Sequence, residues 1–328
     1  MQMPLRLALP SSGALEKPSL EMLRACGLAV LRPNSRSYTA EIPSLPGVVV
    51  TFQRGSDITP RIEEGSADIG IVGLDRFRDS LREDGETRVI IELGFGQSEL
   101  VIAVPDAWID VSSMADLAGL AQKFREGGPD LRVATKYPRL VRKHLVTKGV
   151  RYFSLVQSSG TLEAAPSMGF ADVIADVTES GTTIRQNRLK QIHGGFIMAS
   201  QACLVSRRFI DGQDDEVLEA ARILVDRIEA HLGAKCYYSI TANMRGESAD
   251  EVAERVLRCT EITGLLGPTV SKVYARSGKG WFAVTVIVEQ AKLLSAVKQL
   301  RGIGGSSVTV SQPDYMFHSK GEANQRLT

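Results

Sequence analysis

The stretch Ala171-Asp172-Val173-Ile174-Ala175-Asp176-Val177-Thr178-Glu179-Ser180-Gly181-Thr182-Thr183 carries two carboxylates through an apolar run and then breaks into hydroxyls and a glycine. That combination suits a phosphorylated sugar. Carboxylates accept hydrogen bonds from sugar hydroxyls. A glycine turn aims several backbone N–H groups at one phosphate, and a helix opening near Ile184 adds its dipole. Ser180, Thr182 and Thr183 supply further donors. The same residues also fit a strand that ends in a polar turn with a Ser or Thr helix cap.

Placing such a site requires strands that stop at it. Leu5 to Leu9, Val48 to Phe52 and Asp68 to Gly73 read as short apolar strands, with helical spacing over Pro18 to Cys26 and Ile58 to Gly65. Val89 to Leu93 and Glu99 to Val104 follow as strands. A second block starts after Pro105: strands at Leu131 to Thr135, Tyr152 to Val156 and Ala171 to Val177, helices at Pro138 to Lys148 and Leu162 to Met168. Short apolar strands alternating with helices predict α/β sheets with mostly parallel strands, whose ligands lie beyond the C-terminal strand ends. Ser11 to Gly13, Gly73 to Asp75, Thr135 to Tyr137 and Thr178 to Thr183 all fall at such ends. Their coincidence favours a cleft between two lobes.

The remainder has a different rhythm. A long helical pattern over Asp214 to Leu232 leads into β-α-β-β-α-β, a ferredoxin-like unit. Its strands are Cys236 to Thr241, Thr269 to Ala275, Trp281 to Val288 and Ser307 to Val310, its helices Ser248 to Ile262 and Gln290 to Leu300. Residues after Phe317 are polar and are expected to fray.

The totals exclude several classes. A net charge of +1 gives no global basic field, so no nucleic-acid partner is expected and any anion site must be local. No stretch reaches the roughly 18 apolar residues needed to cross a bilayer. The opening residues lack a signal-peptide pattern, which points to the cytoplasm. Cys26, Cys203, Cys236 and Cys259 form no CxxC pair and read as reduced thiols; the four histidines are scattered, which argues against zinc. At 328 residues the chain should hold two or three domains.

Several motifs, in order, carry a resemblance. They are Leu9-Pro10-Ser11-Ser12-Gly13-Ala14-Leu15, Arg54-Gly55-Ser56-Asp57-Ile58 and Ala67-Asp68-Ile69-Gly70-Ile71-Val72-Gly73-Leu74-Asp75. Leu93-Gly94-Phe95-Gly96, Ala134-Thr135-Lys136-Tyr137-Pro138, Gly160-Thr161-Leu162-Glu163-Ala164-Ala165-Pro166 and Ala202-Cys203-Leu204 continue the series, with the stretch that opens this section. Over nearly the whole chain this resembles the long form of ATP phosphoribosyltransferase, a glycosyltransferase of histidine biosynthesis. The resemblance implies a two-lobed fold of the type II periplasmic-binding-protein kind. Lobe I would comprise residues 1–104 and 185–215, lobe II residues 105–184, and a ferredoxin-like (ACT-like) regulatory domain residues 216–318.

The implied reaction joins N1 of ATP to C1 of phosphoribosyl pyrophosphate (PRPP) with loss of pyrophosphate. Mg2+ would ride on the pyrophosphate rather than bind the protein directly. Charge stabilisation and positioning would supply most of the rate. The resemblance further implies that Ser180, Gly181, Thr182 and Thr183 cradle the 5-phosphate, that Asp176 and Glu163 hold the ribose hydroxyls, and that Glu179 also belongs to the PRPP site. Arg54, with Ser12 and Gly13, would face the pyrophosphate or the ATP phosphates; Gly73, Asp75 and Tyr137 would lie near the nucleotide. Arg54 and Asp176 are the expected catalytic pair. Thr269 would belong to an allosteric histidine pocket, and the protein would be a homo-oligomer, dimer or hexamer, with no membrane partner.

Three departures from the family's commonest pattern stand out: Ser12-Gly13-Ala14 where many members have Lys-Gly-Arg, Glu99 where many have an arginine, and Asn187-Arg188-Leu189 for the usual Asn-Gly-Leu. Ala14 and Glu99 keep open a catalytically weak regulatory subunit, and two lobes around an anion cleft also suit a cytosolic nucleotide or amino-acid sensor.

Overall fold

The computed structural model describes residues 4–34, 37–82, 85–157, 162–209, 215–260, 262, 264–265, 267–275, 278–318 and 321–327. It divides into two compact units, Met1–Arg222 with Ala323–Thr328, and Ile223–Glu322.

The first unit opens with β1 (Leu5–Pro10), α1 (Glu16–Ala25), β2 (Thr39–Glu41), β3 (Val48–Gln53), α2 (Gly55–Glu63), β4 (Ile69–Gly73), α3 (Leu74–Ser80) and β5 (Arg88–Glu92). In β3 the residues Val48, Val50 and Phe52 point inward, the alternation of a strand covered on one face. All of β4 is buried, as expected for a central strand covered on both faces. Gly70 is required there, because a Cβ would run into Ile58 and the carbonyl of Ala8.

The chain then forms β6 (Ser98–Pro105), α4 (Met114–Glu126), β7 (Leu131–Thr135), α5 (Pro138–Thr147), β8 (Phe153–Gln157), a 3-10 turn at Leu162–Ala164, β9 (Val173–Thr178), α6 (Thr182–Gln186), β10 (Leu189–Ser200) and β11 (Ala202–Ser206). A capping box between Ser113 and Asp116 starts α4, and Pro138 preorganises the first turn of α5. Two sheets result, in the orders β2-β3-β1-β4-β11-β5 and β10-β6-β9-β7-β8. In each, three parallel strands (β3, β1, β4 and β8, β7, β9) are followed by antiparallel ones. One apolar cluster, including Ile58 and Phe77 from the first lobe and Leu100 and Val133 from the second, joins the two.

The second unit contains most of α7 (Asp215–Ala234), then β12 (Tyr237–Arg245), α8 (Ala249–Leu257), β13 (Thr269–Ala275), β14 (Gly278–Glu289), α9 (Leu293–Gly302) and β15 (Ser306–Ser311). Its sheet runs β13-β14-β12-β15, the ferredoxin-like order, with Ser248 capping α8 as expected. Its core packs Ile240, Met244 and Val284 against Val252, Val256 and Leu300 from the helices. The last helix, α10 (Glu322–Gln325), returns to the first unit.

Four expectations need correction. Residues 98–104 and 189–200, assigned to lobe I, lie in the second sheet as β6 and β10. The chain therefore crosses between lobes near 93–98 and near 200–202, where Leu93 and Phe95 pair with Ala202. The helix expected over Leu162 to Met168 is only a 3-10 turn, since Pro166 has no N–H to donate. The tail after Phe317 is not frayed throughout: Leu327 is fully buried, its carbonyl accepts from Phe209 N–H, and Arg326 donates to Ile90 O. The helix from Ser248 stops at Leu257, short of Ile262. Gly160, Thr161, Asp214, Arg276 and Ser277 lie outside the described residues.

Candidate active site

The first lobe gathers its candidate residues at the ends of three adjacent parallel strands. Pro10 and Gln53 pair in register at the ends of β1 and β3, so Ser12 and Gly13 leave beside Arg54. Gly13 has φ +85°, a left-handed conformation that a side chain would strain. Arg54 sits at the N-cap of α2, exposed, with its carbonyl accepting from Asp57 N–H. Among the described ion pairs none joins Arg54 to Asp57, whose carboxylate instead accepts from the Ser56 hydroxyl at 2.9 Å. On the other side of β1, Gly73 ends β4 and Asp75 lies in the first turn of α3, 6% exposed. A Cβ on Gly73 would strike the Asp75 carboxylate, so glycine there makes room for the acid. The Ser200 hydroxyl donates to Asp75 Oδ1 at 2.6 Å and accepts from Asp75 N–H at 3.0 Å.

The second lobe does the same with β7 and β9. Asp176, 7% exposed, accepts from Val177 N–H at 2.9 Å, and its Oδ2 stands 3.8 Å from Lys136 Nζ. Burial pushes the Asp176 carboxyl above its ordinary value, Lys136 opposes that shift, and nearby Glu163 adds to it. Past Thr178 the chain turns tightly. Gly181, at φ +69°, donates its N–H to Thr178 Oγ1, and the hydroxyls of Ser180 and Thr182 lie 2.8 Å apart. Arg185 donates to Ser180 O and reaches the Thr182 hydroxyl, which places a cation against the turn. Glu179, Ser180, Thr182 and Thr183 are exposed, open to an incoming group. Glu163 is half-buried in the 3-10 turn.

Tyr137 connects the halves. It is 3% exposed and starts α5; burial and the facing Asp75 carboxylate hold its phenol protonated. Arg76, from α3, stacks on the Tyr137 ring at 4.4 Å and donates to Lys136 O at 2.8 Å. Asp79 Oδ1 accepts from Leu140 N–H at 2.9 Å, a second tie between α3 and α5. Carboxylates, hydroxyls and cations thus meet at facing strand ends. This is an arrangement fit to hold a polyanionic sugar and to stabilise charge that separates during a transfer.

The fold brings Glu163, Asp176 and the 179–183 turn together in one lobe, and Ser12, Gly13, Arg54, Gly73 and Asp75 together in the other. Thr269 is not among them; it begins β13 in the second unit. Sequence reasoning missed Arg76, Lys136, Arg185 and Ser200 as parts of these constellations. Lys136 stood inside a quoted motif without a role, and Arg185 was visible only as a cation two residues past the hydroxyls. Arg76 and Ser200 carry no local signal, because their partners lie far away in the chain.

The ATP phosphoribosyltransferase family model matches residues 54–230. The chain belongs to this family. A second model, the HisG C-terminal domain, matches residues 234–312. ATP phosphoribosyltransferase 2, chloroplastic, of Arabidopsis thaliana is 41% identical over 96% of this chain and 78% of its own length. The ATP phosphoribosyltransferase of Rhodopseudomonas palustris (strain BisB18) is 34% identical over 97% of this chain and 95% of its own. The ATP phosphoribosyl transferase (HisG:HisZ) complex of Thermotoga maritima shares the fold, with a TM-score of 0.53 at 23% identity, over 69% of this chain and 98% of that one.

As a member of the ATP phosphoribosyltransferase family, the protein is a pentosyltransferase acting on ATP and PRPP at the first step of histidine biosynthesis. Nothing favours the sensor or regulatory-subunit readings. Among the described residues no helix is long and apolar enough to cross a membrane.

Proposed function

We propose that the transfer takes place between the two sets of strand ends, with PRPP seated on the second lobe. The 5-phosphate lies in the turn of Ser180, Gly181, Thr182 and Thr183, the ribose hydroxyls bond Asp176 and Glu163, and Glu179 lies at the same PRPP site. Arg54, with Ser12 and Gly13, faces the pyrophosphate or the ATP phosphates. Gly73, Asp75 and Tyr137 line the nucleotide side. The observation that carries this reading is a buried carboxylate, Asp176, on a strand that runs directly into an exposed hydroxyl turn flanked by Arg185.

The chemistry follows from charge. As adenine N1 approaches C1, positive charge grows on the ribose and negative charge on the departing pyrophosphate. Asp176 and Glu163 lie on the ribose side and Arg54 on the phosphate side, so fixed charges oppose each development. Pyrophosphate oxygens are hard ligands that suit a hard divalent cation. Mg2+ therefore fits as an ion carried on the pyrophosphate, where it supplies charge neutralisation to the leaving group.

Histidine inhibition through a pocket that includes Thr269, assembly into dimers or hexamers, and cytoplasmic residence belong to the same reading. The C-terminal domain match spans Thr269, and reduced thiols at all four cysteines suit a reducing compartment. Calorimetric titration with PRPP and Mg2+ tests the core of it: Asp176→Ala should abolish tight binding while circular dichroism stays unchanged. Unchanged affinity removes Asp176 from the site.

A further inference from the structure

Lys136 has no part in the reading above, yet its ammonium lies against the central carboxylate of the site. The topology brings it there. Thr135 of β7 and Ala175 of β9 are paired in register, so the next residues, Lys136 just past the end of β7 and Asp176 within β9, lie side by side. Across β9, Val101 and Glu99 of β6 stand opposite Asp176 and Thr178. An apolar side chain therefore flanks the acid on that side, with a second carboxylate one step beyond. Arg76 fixes the lysine's backbone through its bond to Lys136 O and its stacking on Tyr137. The side chain of Lys136 is 31% exposed and that of Asp176 only 9%.

Besides Glu99 of β6, charged and titratable groups face Asp176 from four further places. They are Lys136 after β7, Arg76 on α3, Tyr137 at the start of α5 and Glu163 in the 3-10 turn. Burial and Glu163 favour the protonated acid, while Lys136 is the largest charge acting against them, ahead of Arg76. The balance matters because an ionised carboxylate only accepts hydrogen bonds, whereas a protonated one must donate at one oxygen.

We propose that Lys136 is a positioning residue for the transfer, the counter-ion that holds the Asp176 carboxylate charged and facing the sugar. The proposal rests on the assignment of Asp176 to the ribose hydroxyls, and the two can be separated by experiment. The full-length protein is labelled with 13C at aspartate carboxyls, the Asp176 signal is identified by its loss in Asp176→Asn, and its titration is followed by NMR. The affinity for PRPP with Mg2+ is measured over the same pH range.

Lys136→Met keeps an apolar stem and removes the charge. It should raise the Asp176 midpoint by about one pH unit and carry the acidic limb of PRPP affinity upward by the same amount. Lys136→Arg should restore both. An unmoved Asp176 midpoint in Lys136→Met overturns the proposal. A shifted midpoint with an unshifted affinity limb upholds Lys136 as the counter-ion and removes Asp176 from the sugar site.

Discussion

Ser200 and Asp75, 125 residues apart in sequence, exchange two hydrogen bonds in a buried setting: the serine hydroxyl donates to the carboxylate at 2.6 Å and accepts from the aspartate's own amide at 3.0 Å. Ser200 closes β10 in the second sheet, and Asp75 opens a helix of the first lobe. One hydroxyl therefore fixes an acid of one half of the site to the chain that crosses from the other. Ser200→Ala leaves both Asp75 groups short of a partner, at a cost of about 1–3 kcal/mol. Thermal unfolding should show it as a lower Tm. Steady-state kinetics should show KM for ATP rising more than KM for PRPP if Asp75 lines the nucleotide side as proposed.

Arg188 carries φ +56°, in the left-handed region that favours glycine. It occupies the middle of Asn187-Arg188-Leu189, where the family's usual pattern has glycine. The structure thus gives that departure a physical meaning: the turn between α6 and β10 needs a left-handed residue, and the arginine bears the strain. Arg188→Gly should stabilise the protein by up to about 1 kcal/mol, the relief of strain less glycine's greater unfolded freedom. Denaturant titration would read this as a higher midpoint with an unchanged slope.

Asp68 lies between two guanidiniums, with Arg6 Nη2 at 2.7 Å and Arg207 Nε at 2.9 Å. Burial alone would raise its carboxyl, but the bonds from Arg6 and then Arg207 hold it below the ordinary value. A folded-state value below the unfolded one means stability that is present above the unfolded pKa and lost as pH falls through the folded one. Asp68→Asn should cost about 2–3 kcal/mol at pH 7, below the full figure for a buried pair because both arginines reach solvent. The difference from wild type should shrink as pH falls below the ordinary carboxylate range and on through the lowered folded-state value, as urea titrations at about pH 7 and at acidic pH would show.

The tail is held by Leu327, fully buried. Leu327→Ala should destabilise the first unit by about 2 kcal/mol, at the low end for a core leucine because a terminus relaxes readily. Amide exchange at Phe209 and near Ile90, whose backbone groups meet the tail, should accelerate.

The parts of this architecture that sequence reading captured are those written in local pattern. The run into Thr178 and the hydroxyl turn after it, the Pro138 start of α5 and the Ser248 cap of α8 each depend on neighbours within a few residues. The lobe boundary does not. β5 and β6 are consecutive apolar strands, and only their pairing, with β11 in one case and β9 and β10 in the other, assigns them to different sheets. β10 was missed because Gly194 and Gly195 interrupt its pattern, and α3 because seven residues give too few turns to show a period. The segment of α10 looked like a polar end because Leu327, two residues past the helix, is its single large apolar anchor. Within the candidate site, the carboxylate of Asp176 on a strand that leads into the hydroxyl turn was legible from its place in the chain, whereas the contacts of Lys136, Arg76 and Ser200 exist only once distant strands have paired.

A crystal of the protein soaked with PRPP and Mg2+ tests the central claim most directly. The account predicts density for the 5-phosphate in the turn spanning residues 178–183, with the ribose hydroxyls within hydrogen-bond distance of Asp176. Ordered PRPP at another place, with that turn vacant, would contradict it.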